Sequence, residues 1–128
     1  MEIRPKQSTV KGPSEWFTGD VWIDGIVQPR DGSPLSVGAV HFTPGARTAW
    51  HSHDGGQTLH VTEGRGLVQS RGEPVVEIRA GDTVWTPHGE EHWHGARRDH
   101  FMTHLSLTAG PATWGDHVTD AEYGSGSS

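Results

Sequence analysis

At 128 residues the chain has the size of one domain with a single sizeable core. A net charge of −6 with no Lys/Arg cluster argues against nucleic acid or an anionic membrane as partner. The lack of cysteine excludes disulfides, thiolate metal sites, iron–sulfur clusters and a cysteine nucleophile.

No apolar run reaches membrane-spanning length and no leader pattern opens the chain, so a soluble, cytoplasmic protein starting near Met1 is expected. Apolar residues make up 31%, and six tryptophans supply much of the buriable area. The 18 glycines and eight prolines punctuate apolar runs, which reads as many tight turns rather than disorder.

In chain order, Met1–Pro13 is a polar lead-in and Glu15–Gly19 a short aromatic segment. A strand is predicted over Asp20–Asp24, closed by Gly25, and a loop over Gln28–Pro34. Leu35–Thr43 is a strand ended by Pro44-Gly45, and Arg47–His53 is the next, broken by Asp54-Gly55-Gly56. Gln57–Thr62 follows, with a turn at Glu63-Gly64-Arg65-Gly66. Leu67–Ser70 and Val75–Arg79 form a hairpin. Thr83–Thr86, Glu91–His94 and Phe101–Thr108 complete the strands. Thr119-Asp-Ala-Glu122 has capping-box spacing and starts a short helix. Gly124–Ser128 reads as a flexible tail or expression scar. Short strands with regular turns and no 3.6-residue period predict an all-β sandwich or barrel with little helix.

Chemistry concentrates in the histidines, ten in all and dispersed. His51 and His53 are one residue apart, so on a strand they share a face. Gln57 adds a carbonyl oxygen after the Gly55-Gly56 bend, and His92 arrives from a separate strand. Three imidazoles and one amide oxygen form a nitrogen–oxygen site for a divalent ion, with open positions left for chemistry. Gln57 is neutral, so the centre carries one positive charge more than a carboxylate version would. His94, two residues past His92, faces the same interior. If its strand turns Met102, His104 and Ser106 inward, His104 enters the cavity too. Each is then a base near neutral pH. His41, His60, His88, His100 and His117 are read as surface or packing residues.

Gly45-x5-His51-x-His53-x3-Gln57-x6-Gly64 resembles the first cupin motif, and Gly81-x5-Pro87-x-Gly89-x2-His92 the second. The resemblance implies a single cupin domain over 1–123, with motifs at 45–64 and 81–96, folded as an antiparallel double-sheet jelly-roll barrel. Two departures stand out: Gln57 stands where the motif normally has Glu, and Ala96 where it normally ends in Asn.

The runs His92-Trp-His94-Gly and Met102-Thr-His104-Leu, together with Pro44–His51, resemble the small manganese-dependent cupin hydroxynitrile lyases. That resemblance implies His51, His53, Gln57 and His92 as metal ligands and His94 and His104 as the proton-handling residues. It also implies Mn2+ as the ion, with Fe2+, Zn2+ or Ni2+ as alternatives, and a homodimer. The activity implied is reversible cleavage of aromatic cyanohydrins such as mandelonitrile. Gly38, Val40 and Thr108 are where substrate preference is expected to vary, and Phe42, Leu59 and Met102 are further apolar pocket candidates. Two other readings stand beside it: an Fe(II)-dependent dioxygenase, and a non-catalytic metal- or small-ligand-binding cupin.

Overall fold

Alternation of apolar and polar side chains folds this chain mainly into antiparallel strands. The computed structural model describes residues 1–124. The strands are β1 (Val10–Lys11), β2 (Phe17–Thr18), β3 (Val21–Val27), β4 (Leu35–Phe42), β5 (Arg47–Thr48), β6 (His51–His53), β7 (Gln57–Ser70), β8 (Val76–Arg79), β9 (Thr83–Thr86), β10 (His92–Ala96), β11 (Met102–Ala109) and β12 (Ala112–Trp114). One helix, α1 (Asp120–Gly124), follows. Gly124, expected in the tail, closes that helix, and residues 125–128 lie outside the described residues.

Two sheets share β7. Its first half pairs with β11 and β9 in a sheet continued by β4, β3 and β1. Its second half pairs with β10 and β8 in a sheet continued by β5, β6, β12 and β2. This is the curled antiparallel double sheet predicted from the sequence.

The turn expected at Glu63–Gly66 does not form, because β7 runs straight through it. A β-carbon on Gly64 would fall on the Phe101 carbonyl, and Gly64 has φ +81°. One on Gly66 would fall on the Met102 sulfur and the Gly95 carbonyl. These glycines let β7 press against β10 and β11 where it passes between sheets. Thr103 lies opposite Glu63 and His104 opposite Val61, so Thr62 is an extra residue on β7, a β-bulge. The bulge changes which residues point inward: Gln57, Leu59 and Val61 before it, Gly66 and Val68, opposite Ala96 and His94, after it.

The single strand expected over Arg47–His53 is two. Ala49 N–H donates to the Trp16 carbonyl at 2.8 Å and Trp50 N–H to the Asp116 carbonyl at 2.9 Å, which takes these residues out of the ladder. β3 runs past Gly25 to Val27 through a register shift, and β12 is a strand that the sequence pattern does not announce.

Between the sheets, Val21, Val40, Phe42, Val61, Ile78 and Met102 form the apolar core. A second cluster of Trp50, Leu67, Trp93, Val118 and Tyr123 packs outside the second sheet. The capping box forms as predicted. Glu122 N–H donates to Thr119 Oγ1 at 3.1 Å, and Thr119 N–H donates to Glu122 Oε1 at 2.9 Å. Tyr123 donates its hydroxyl to the Ala96 carbonyl at 2.7 Å, tying the helix to the end of β10. Among the described residues, no helix is long and apolar enough to cross a membrane.

Gly66→Ala is expected to destabilise the fold by about 2 kcal/mol or more through overpacking. The check is a lower urea midpoint with the m-value unchanged.

Candidate metal centre

β6 and β10 lie side by side with His51 opposite His92, so a single register brings two of the three histidines together. His53 comes from the same face of β6, its ring centroid 5.1 Å from that of His51. Ligand atoms of His51, His53 and His92 lie within 4.8 Å of one another. Gln57, at the start of β7, closes the fourth side with its Oε1 2.9 Å from His92 Nε2.

Backbone carbonyls fix the tautomers. His51 Nδ1 is 2.9 Å from the Ala49 carbonyl and His92 Nδ1 is 2.9 Å from the Glu90 carbonyl. Each Nδ1–H donates to its carbonyl, leaving a bare Nε2 lone pair in the neutral ring. Gln57 is oriented likewise. Its amide NH2 donates to Ser106 Oγ at 2.8 Å, so Oε1 points to the centre. Lone pairs of His51, His92 and Gln57 therefore converge. Both ring nitrogens of His53 are buried without a hydrogen-bond partner. An electron-rich cluster of nitrogen and oxygen donors with an orphaned imidazole fits a divalent cation.

His94 and His104 are fully enclosed beside this cluster. His94 Nε2 lies 3.3 Å from His51 Nε2, and His94 Nδ1 lies 2.9 Å from His104 Nε2. Phe42 packs on both rings, at centroid distances of 5.9 and 5.3 Å. Burial is the main cause that holds these histidines neutral. It lowers His51 to about 3 and His53 and His104 to about 4, with neighbouring rings adding to the effect. It lowers His94 well below the usual imidazole value, with His104 next in weight.

A cavity of about 130 Å3 opens on the cluster. His51, His53, Gln57 and His94 line it together with apolar Phe17, Val40 and Trp114 and the hydroxyl-bearing Thr48 and Ser106. Of the pocket residues named from sequence, Val40 lines this cavity. Strand register puts Gly38, Phe42, Met102 and Thr108 on the same inward face, with Phe42 and Met102 in the apolar core. Leu59 lines a neighbouring cavity that reaches His92 from another side. The sequence does not single out Phe17, Thr48 or Trp114, and it places Ser106 only through the inward face of its strand. Phe17 belongs to the aromatic segment Glu15–Gly19, whereas Trp114 carries no local signal because no sequence pattern marks β12. The histidines read as packing residues include His41, bonded to Asp24 and Thr103, and His60, bonded to Thr83.

His53→Ala should cut metal affinity by more than the roughly 10- to 100-fold typical of losing a residue that merely supports a ligand. Elemental analysis after dialysis measures this. Folded-state values below the free imidazole value mean that the unfolded chain binds more protons below pH 6.5. Metal-free protein should therefore lose stability from pH 6.5 towards 4 and hold it above 7. Buried His51 and His104 each contribute up to about 1.4 kcal/mol per pH unit in that window. Urea midpoints of chelated protein at pH 7.5 and 5 test the sign.

The family model for the cupin domain matches residues 38–107. The chain is 48% identical to an (R)-mandelonitrile lyase of Granulicella tundricola over 129 aligned positions, covering 96% of this chain and 98% of that enzyme. A cupin-like protein of Thermotoga maritima superposes with a TM-score of 0.88 at 42% identity, covering 98% of each chain. A polyketide cyclase from Streptomyces resistomycificus superposes with a TM-score of 0.65 at 17% identity, over 80% of this chain and 75% of that one, a likeness of fold alone. With both motifs converging on one cluster and the match extending along nearly the whole chain, this protein belongs to the cupin family.

Proposed function

We propose that this cupin is a metal-dependent hydroxynitrile lyase that reversibly cleaves aromatic cyanohydrins such as mandelonitrile to aldehyde and HCN. The observation that carries the reading is the hydrogen-bonded His94–His104 pair directed at the three-histidine cluster. Likeness to the Granulicella enzyme over almost the whole chain supports it. The proposed ion is Mn2+, with Fe2+, Zn2+ and Ni2+ suited to the same donors, and the proposed assembly is a homodimer.

His51, His53, His92 and Gln57 would hold the ion, which supplies Lewis-acid stabilisation of negative charge developing on the substrate oxygen. The rest is proton traffic through this chain's own residues. His94 Nε2 takes the hydroxyl proton. As the C=O bond forms, the bond to the nitrile carbon breaks and its electron pair leaves with cyanide. His94 then returns the proton to cyanide, so that HCN departs and the enzyme is unchanged. For Nε2 to accept, the His94 proton must sit on Nδ1 and be donated to His104 Nε2. The same heavy-atom contact serves either tautomer, so His104 positions the proton without moving a ring. Burial keeps the imidazole neutral and so able to accept, and by disfavouring the imidazolium it drives return of the proton to cyanide.

Mandelonitrile turnover by Mn-loaded protein, followed by benzaldehyde absorbance, tests the reading. Turnover no faster than in buffer, with metal confirmed bound, would sink it. His94→Ala should retain metal and lose about 100-fold or more in kcat, the scale of general acid–base catalysis.

A further inference from the structure

We propose that Trp114 is the specificity-determining residue of the cavity and selects substrates with an aromatic ring. The proposal rests on the lyase reading for its substrate class. It starts from β12, which no motif marks. There Trp114 pairs in register with His51, so its indole is placed beside the metal cluster by backbone hydrogen bonding. The ring lies 4.7 Å from that of His51. It stacks on Trp16 at 5.1 Å with the planes 6° apart, and Phe17 leans on it at 6.0 Å and 58°. These contacts hold the indole still, so the wall is rigid before any ligand arrives.

The cavity has the scale of a ring. Its volume is about 130 Å3, close to the roughly 150 Å3 of apolar cavities that take up benzene. Phe17 and Trp114, inclined to each other, make a notch in which a guest ring meets one of them edge to face and the other offset, the arrangements aromatic quadrupoles favour. His51, His53, Gln57 and His94 line the same cavity, and His51 lies against Trp114 itself, so a ring seated on this wall is next to the cluster. No residue lining this cavity is acidic, so no carboxylate there pairs with a charged substituent.

The test uses full-length, Mn-loaded protein in two arms. The first compares binding of benzyl alcohol with that of cyclohexylmethanol, two ligands of similar bulk that carry no cyanide to lose. Wild type should prefer the aromatic alcohol about threefold to tenfold, Trp114→Leu should bind both equally, and Trp114→Phe should restore the preference. The second compares kcat/KM for mandelonitrile and acetone cyanohydrin, where Trp114→Leu should cut the aromatic preference at least about tenfold, mainly through KM. If wild type turns over neither cyanohydrin but shows the Trp114-dependent binding preference, the lyase reading fails and this assignment stands. If Trp114→Leu keeps the wild-type preference, the assignment is overturned whatever the turnover. Loss of metal from Trp114→Leu also overturns it, since Trp114 would then serve His51 rather than substrate. Should Trp114→Leu fail to fold, Phe17→Leu carries the same comparison across the same notch.

Discussion

Two backbone carbonyls, those of Ala49 and Glu90, determine what the centre of this barrel is. Each accepts the Nδ1–H of the histidine two residues later, His51 and His92 respectively. That leaves two lone pairs aimed at one point, where Gln57 adds a third. Such a cluster is unfavourable without positive charge to share. The break in the strand at Ala49 and Trp50, the β6–β10 register and the Ser106 bond to Gln57 all serve this convergence. A neutral donor set leaves an ion's charge undiminished, which suits polarising oxygen more than stabilising a higher oxidation state. That tells against the dioxygenase alternative.

The second layer of chemistry is the burial of His94 and His104. Both rings pack against Phe42 and against each other, His94 also lines the cavity, and burial keeps both neutral. When His94 takes a proton the pair carries one positive charge, and the bond between His94 Nδ1 and His104 Nε2 lets the two rings share it in an interior where an isolated ion would be costly.

The histidine cluster that could hold a metal was legible because its pattern is written at short range. His51 and His53 obey the period of a strand, Gln57 follows a glycine bend, and His92 follows a proline–glycine turn. Alternation along β11 left its inward face open, since Leu105 and Leu107 compete with Met102, and pairing with β4 settles it. What escaped depends on long-range packing. Gly64 and Gly66 read as a turn because glycine marks turns, yet here they clear space for Phe101 and Met102. β12 is three residues long and exists only because β6 offers it an edge. The orientation of Gln57 depends on Ser106, forty-nine residues away, a distance no local pattern spans.

The extra residue Thr62 changes how positions count along β7. Along a strand, inward and outward positions alternate, so the parity of residue number decides facing. At Thr62 that parity switches, which lets odd-numbered Gln57 and Val61 share an interior with even-numbered Val68 and the histidines opposite it. Chain length between the glutamine and the second sheet is therefore a digital quantity. Any change of side chain at Thr62 adjusts the barrel, whereas gain or loss of one residue there inverts one half of β7 relative to the other. Gln57 therefore reaches the cluster only at this spacing from the second sheet.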